Sequence, residues 1–170
     1  MRADKIYLVG FMGAGKTTLA WALGARLGWR VDDLDAVIER REGAQVSDIF
    51  ATHGESRFRA AERAALRTLL PLRQAVIATG GGAFVPAQNR LLINEDGVSF
   101  WLDFSLKRVA GRLRADHGRR PLAADRVAME RLFDARQPSY RHARVRLDAE
   151  HATTSELVQQ VVDWLDRQAS

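Results

Sequence analysis

The chain has 170 residues, 46% hydrophobic and 28% charged, which suits one compact domain with a sizeable core and excludes a disordered segment. It contains no cysteine, so disulfides, thiolate metal sites and a cysteine nucleophile are excluded, and no apolar run approaches the ~20 residues of a membrane-spanning helix. The formal charge of +5 fits a solvated basic surface or a site for anionic ligands; a nucleic-acid binder would carry a basic stripe interleaved with aromatics, whereas aromatics are 8% and the arginines are scattered.

In chain order, Met1–Lys5 runs directly into Ile6-Tyr7-Leu8-Val9, a short β-favouring segment. That start leaves no room for a signal peptide, and a cytoplasmic protein is the expectation. A glycine-rich loop follows, then a helical pattern with Leu19, Leu23 and Leu27 on one face. A second strand is expected at Trp29–Asp32, ending in an acidic cluster, with helices over roughly 35–41 and 46–70 interrupted near Gly54. Ala75–Thr79 reads as a third, buried strand closed by Gly80-Gly81-Gly82, and Val98–Leu102 as a fourth, followed by a helix from about Ser105. The charged stretch Ala115–Asp125, with Gly118 and Pro121, lacks apolar periodicity and is expected to be a mobile surface loop. Val145–Leu147 is a fifth strand. The last helix opens on Thr153 with Glu156 three residues on, a capping box, and carries an apolar stripe of Leu157, Val161, Trp164 and Leu165. Strands alternating with helices predict a parallel sheet covered on both faces.

The strongest motif is Gly10-Phe11-Met12-Gly13-Ala14-Gly15-Lys16-Thr17, a full G-x-x-x-x-G-K-[ST] phosphate loop between a strand and a helix. Its glycines let successive N–H groups face phosphate oxygens, the helix start adds its positive dipole end, Lys16 adds a cation, and Thr17 offers a hydroxyl to Mg²⁺. The motif establishes nucleotide binding without deciding the fate of the phosphate. Three further segments bear on that. Asp33-Leu34-Asp35 closes the second strand, where two aspartates could face a metal and an acceptor, or simply cap a helix. Arg59 and Glu62, three apart on a helix, can pair and so orient the guanidinium. Gly80-Gly81-Gly82 would let a ligand approach backbone N–H groups closely, or form a flexible turn.

In this order the segments resemble the shikimate kinase family from Lys5 to about Asp148: G-F-M-G-x-G-K-[ST], D-x-D, G-E-x-x-F-R-x-x-E at 54–62, T-G-G-G at 79–82, R-P-L at 120–122 and R-x-P-x-Y at 136–140. The resemblance implies a single α/β domain over 1–170. Its fold would be a three-layer P-loop kinase with a five-stranded parallel sheet, helices on both faces, a helical substrate-binding region at about 33–62 and a lid at about 113–125. ATP would be the co-substrate, Mg²⁺ the metal and shikimate the acceptor. Carried over by position, Gly13, Ala14, Gly15, Lys16, Thr17 and Thr18 would hold the phosphates. Thr17 would ligate Mg²⁺, with Asp33 reaching it through water. Arg112 would stack on adenine and Arg120 would be the lid arginine on the phosphates. Asp35, Arg59, Gly80, Gly81, Gly82 and Arg136 would bind shikimate, with Lys16, Asp35 and Arg120 in the chemistry. Planar arginine forks suit the carboxylate, and Asp35 can orient the attacking hydroxyl. Phe50 and Phe58 offer either an apolar wall for the ring or plain core. The loop 149–154 lacks the arginine of several family members, leaving adenine to backbone contacts, and the stretch from Arg120 to Arg136 is short.

The rival enzyme readings are another small-metabolite kinase, such as a gluconate kinase, and a nucleoside-monophosphate kinase, whose phosphate acceptor suits Asp35 less well. A nucleotide-dependent switch would carry a guanine-reading N/T-K-x-D segment, and none is present. His53, His117, His142 and His151 show no ligand spacing and read as surface or loop residues. No nucleic-acid or membrane partner is expected, and monomer is the default.

Overall fold

A computed structural model describes residues 3–115 and 126–170, with the side chains of 113–115 also left undescribed. Five strands form it: β1 (Lys5–Val9), β2 (Arg30–Asp33), β3 (Ala75–Ala78), β4 (Val98–Asp103) and β5 (Val145–Asp148). All neighbouring pairs are parallel, in the order β2-β3-β1-β4-β5. Every residue of β1 and β3 is buried, and side chains alternate between the faces of a strand, so helices must cover both faces. The core runs through Ile6, Leu8, Leu19, Leu23, Leu66, Ile77, Phe100 and Val161.

The helices are α1 (Lys16–Leu27), α2 (Leu34–Glu42), α3 (Val46–Leu69), α4 (Ala87–Asp96), α5 (Leu106–Ala115), α6 (Arg126–Tyr140) and α7 (Thr154–Ala169). The interruption expected near Gly54 is a kink: Gly54 has φ 80 and ψ 176, a conformation open to glycine alone, and α3 turns there. The kink brings Phe50 back onto Phe58, with ring centroids 4.4 Å apart. The capping box of α7 forms as expected: Glu156 N–H donates to Thr153 Oγ1, and Thr153 N–H to the Glu156 carboxylate.

Two helices depart from the periodicity. The pattern predicts nothing over 87–96, yet α4 forms there, burying only Asn89 and Ile93. The other, α6, continues through Pro138, a residue that ordinarily ends a helix. Ala115, the first residue of the expected loop, is the last of α5. The remainder of that stretch and most of the expected lid, including His117 and Arg120, lie outside the described residues.

At the amino ends of the strands, β1 begins with a fully buried lysine. Lys5 Nζ donates to the carbonyls of Leu69 and Leu70 at 3.0 and 2.9 Å and pairs with Asp96 at 2.5 Å. The cation thus satisfies the last carbonyls of α3, where the helix dipole favours positive charge. Tyr7 OH donates to the same Asp96 carboxylate; burial, then the neighbouring Asp96, raises the pKa of the phenol, so it stays neutral. Removing one member of a buried ion pair leaves the other uncompensated. Lys5→Met should therefore lower the unfolding free energy by about 3–5 kcal/mol in urea titrations. A loss below about 1 kcal/mol would mean the pair is not holding α3 to the sheet.

Candidate active site

The chain passes from β1 to the edge strand β2, returns to β3 beside β1, then crosses to β4 on the other side. In such sheets ligands bind beyond the carboxyl ends of the strands, at the switch in direction. The phosphate loop, the Asp33–Asp35 pair and the T-G-G-G turn lie at that edge. A cleft of about 660 Å³ opens there, lined by the phosphate loop, Asp33, Asp35, Thr79, Gly80, Gly81 and Arg112 among others.

The phosphate loop is shaped by its glycines. Gly10 has φ 142, and a Cβ there would lie 2.9 Å from the Leu102 carbonyl, so only glycine lets the loop leave β1 so close to β4. Gly15, with φ 91, precedes α1; no side chain caps that helix and no acidic residue stands in its first turn. Its leading N–H groups and dipole therefore face the cleft, as an anion site requires. Lys16 is buried, its Nζ held by the carbonyls of Gly10 and Phe11 at 2.7 and 2.8 Å. Thr17 Oγ1 donates to Asp33 Oδ2 at 2.8 Å. Asp33 also caps α2, its other oxygen accepting from the N–H groups of Asp35 and Ala36. The helix-cap reading of that aspartate holds, and the same carboxylate sits beside the hydroxyl expected to ligate metal. A hydroxyl and a carboxylate are hard oxygen donors that suit Mg²⁺.

Across the cleft, each glycine of the 80–82 turn lies against charged side chains, Gly80 against the Glu62 carboxylate as well as Asp35. A Cβ at Gly80 would stand 3.0 Å from Asp35 Oδ1, and one at Gly81 3.1 Å from the Arg136 guanidinium. A Cβ at Gly82 would overlap the Arg59 guanidinium. Arg59 pairs with Glu62 at 2.8 Å, as its spacing suggests, and more loosely with Glu55 at 3.5 Å. Arg136 is buried and lies 5.9 Å from the Phe11 ring centroid. Burial lowers its pKa, and the positive charge of Arg59 lowers it further; the neighbouring Tyr140 and Glu62 oppose both. Glu62 is buried too, and desolvation raises its carboxyl above the usual range despite the Arg59 partner. Two guanidinium groups and two carboxylates thus face one glycine turn, with the phosphate loop beside them.

On the nucleotide side, Arg112 donates to the Ala14 carbonyl at 3.1 Å and lies 4.7 Å from the Phe104 ring centroid, with Arg108 on the same ring at 4.9 Å. The sequence reading missed what stands at the 149–154 loop. There the Glu150 carboxylate accepts from Ser105 N–H at 2.7 Å and from its hydroxyl at 2.9 Å, tying the loop to the start of α5. Those bonds hold its carboxyl below the usual range. Ser105 before a helical run is a legible cap, but a partner 45 residues away is not. His53 and His142 are exposed, as expected, while His151 is exposed yet also lines the cleft. Phe58 is core and Phe50 packs on it at the partly buried edge.

The family model described as shikimate kinase matches residues 12–166. A protein of Sulfurihydrogenibium sp. (strain YO3AOP1) named shikimate kinase is 37% identical over 162 residues, spanning 95% of this chain and 98% of its own. The structure of a shikimate kinase from Acinetobacter baumannii in complex with shikimate matches with a TM-score of 0.89 at 34% identity, over 98% of this chain and 94% of that one. A gluconokinase from Sinorhizobium meliloti 1021 matches with a TM-score of 0.62 at 18% identity, a likeness of fold alone.

Because the group a Gly82 side chain would meet is the far end of a flexible arginine, Gly82→Ala should fold but displace Arg59. The expected outcome is a Tm within about 3 °C of the parent and an apparent acceptor affinity about tenfold weaker, the size of one charge-assisted hydrogen bond. Unchanged acceptor affinity would remove the Gly82–Arg59 contact from the site.

Proposed function

The chain belongs to the shikimate kinase family, and we propose from its site that it transfers the γ-phosphoryl group of ATP to the 3-hydroxyl of shikimate, giving shikimate 3-phosphate and ADP. The observation that carries this reading is the gathering of Asp35, Arg59 and Arg136 on one glycine turn beside the phosphate loop. Shikimate carries one carboxylate and three hydroxyls on a ring. Two guanidinium forks match the carboxylate, because each can present parallel N–H donors to its oxygens.

Asp35 then faces the hydroxyl side. It accepts a hydrogen bond from the attacking 3-hydroxyl and directs its oxygen at the γ-phosphorus. As the new O–P bond forms, the bond from phosphorus to the β,γ-bridging oxygen breaks and the electron pair leaves with ADP. In a loose transition state the hydroxyl proton departs late, to Asp35. Lys16 turns from the Gly10 and Phe11 carbonyls to the β- and γ-phosphates, while the amides of Gly13–Thr18 cradle them. Thr17 would hold a magnesium ion directly and Asp33 through water; the ion supplies charge neutralisation on the phosphate oxygens. Arg120 would add a further cation from the lid over 113–125. Arg112 and the loop tied by Glu150 flank the nucleotide's base side. We read the whole chain as one catalytic domain acting in the cytoplasm as a monomer on a small molecule, with no nucleic-acid or membrane partner. No helix among the described residues is long and apolar enough to cross a membrane.

A coupled ADP-release assay with shikimate, gluconate and nucleoside monophosphates tests the substrate. Turnover of shikimate well above the others is expected; turnover of gluconate with none of shikimate would overturn it. Asp35→Asn should cut kcat about 10²–10⁴-fold, the range of a lost general base, with ATP affinity within about twofold of the parent. Loss of nucleotide binding with turnover per bound ATP intact would instead place Asp35 on the nucleotide side.

A further inference from the structure

Tyr140 has no part in the reaction derived above, yet it is fully buried beneath the acceptor side of the site. Its hydroxyl donates to the carbonyl of Gly81. The phenol and the Arg136 guanidinium are near enough to influence each other's ionisation. A phenol has one hydrogen to give, and it goes to Gly81, so toward Arg136, which has only donors, the phenol oxygen offers only lone pairs. Four residues apart on α6, Arg136 and Tyr140 share a helix face. The Tyr140 ring is held from the sheet side by Trp101, at 6.0 Å between centroids. Gly81, for its part, is enclosed: a Cβ there would lie 3.2 Å from Met12 N and 3.1 Å from Arg136.

We propose that Tyr140 is a positioning residue for the acceptor carboxylate, its hydroxyl pinning the Gly81 peptide against which the Arg136 fork is seated. The proposal rests on the shikimate reading. Without the hydroxyl, the Gly81 carbonyl loses its hydrogen bond in a buried place. The 81–82 peptide is then no longer pinned from below, and the guanidinium seated against Gly81 can shift. Geometry set by a neutral group also holds over a wide pH range. Burial pushes the Tyr140 phenol up to about 12, against the opposing pull of Arg136, so its hydrogen is present wherever the carboxylate is ionised.

The test is steady-state kinetics on Tyr140→Phe, which keeps the ring and removes only the hydroxyl, in a double-mutant cycle with Arg136→Lys. Lysine keeps the charge of Arg136 and loses the fork. Tyr140→Phe should raise KM for shikimate about tenfold, the worth of one hydrogen bond to a charged group, and leave KM for ATP within about twofold. In the Arg136→Lys background the same change should add less than about threefold, because the fork that Tyr140 orients is already gone. Equal increases in both KM values, or full additivity with Arg136→Lys, would show a merely structural tyrosine and overturn the proposal. A parent enzyme that phosphorylates shikimate while Tyr140→Phe leaves its KM unchanged overturns the role of Tyr140 alone. A parent that ignores shikimate overturns both readings together.

Discussion

Three consecutive residues without side chains let one turn of backbone lie against a carboxylate and two guanidinium groups. Gly80 meets Asp35, Gly81 meets Arg136 and Gly82 meets Arg59. A Cβ at Gly82 would displace the Arg59 guanidinium, and one at Gly80 or Gly81 would crowd Asp35 or Arg136, so the close approach depends on a bare turn. The constraint is also electrostatic. Two largely desolvated guanidinium groups would repel each other without Glu62, which bonds Arg59 and attracts Arg136 from below. A carboxylate arriving from the cleft would complete the same charge balance from above. The pocket is thus suited to an anion before the ligand arrives, and its polarity follows from the charges that line it.

The rest of the fold serves that edge. A parallel sheet with β1 at its centre points the ends of β1, β2 and β3 into one cleft, so the phosphate loop, the Asp33–Asp35 pair and the glycine turn come together from residues far apart in sequence. At the opposite edge the sheet carries its own buried ion pair, Lys5 with Asp96, which ties the far end of α3 to β1. Chemistry and anchoring are separated by the length of the strands. The helix carrying Arg59 and Glu62 is held at its end by one cluster and lends its middle to the glycine turn. The Gly54 kink breaks its first turns away to follow α2.

Much of this was legible in the sequence because it is local. A glycine-rich loop between a β-run and a helical run admits one reading, and Thr153 with Glu156 forms its cap within a single turn. The two helices that escaped notice fail for local reasons as well: α4 buries just two side chains, and α6 contains a proline that periodicity takes as a stop. Tertiary packing overrides both signals. What the residues could not reveal on their own was pairing at long range. Asp33 could be read as a cap or as a metal-side residue, and spacing does not reveal that the capping carboxylate also bonds the Thr17 hydroxyl, 16 residues away. Lys5 with Asp96, Ser105 with Glu150, and Tyr140 with Gly81 are likewise partners that sequence spacing cannot propose. The assignment of Arg59 and Arg136 to one anion came from family resemblance, and the glycine turn supplies its physical reason.

The central claim is that Asp35 and the two arginines hold one acceptor between the glycine turn and the phosphate loop. A crystal structure of the chain with shikimate and ADP tests it most directly. The account predicts the carboxylate clasped by Arg59 and Arg136, and one ring hydroxyl within about 3 Å of Asp35 and turned toward the phosphates. Shikimate bound with its carboxylate toward Lys16, or with no hydroxyl near Asp35, would contradict it.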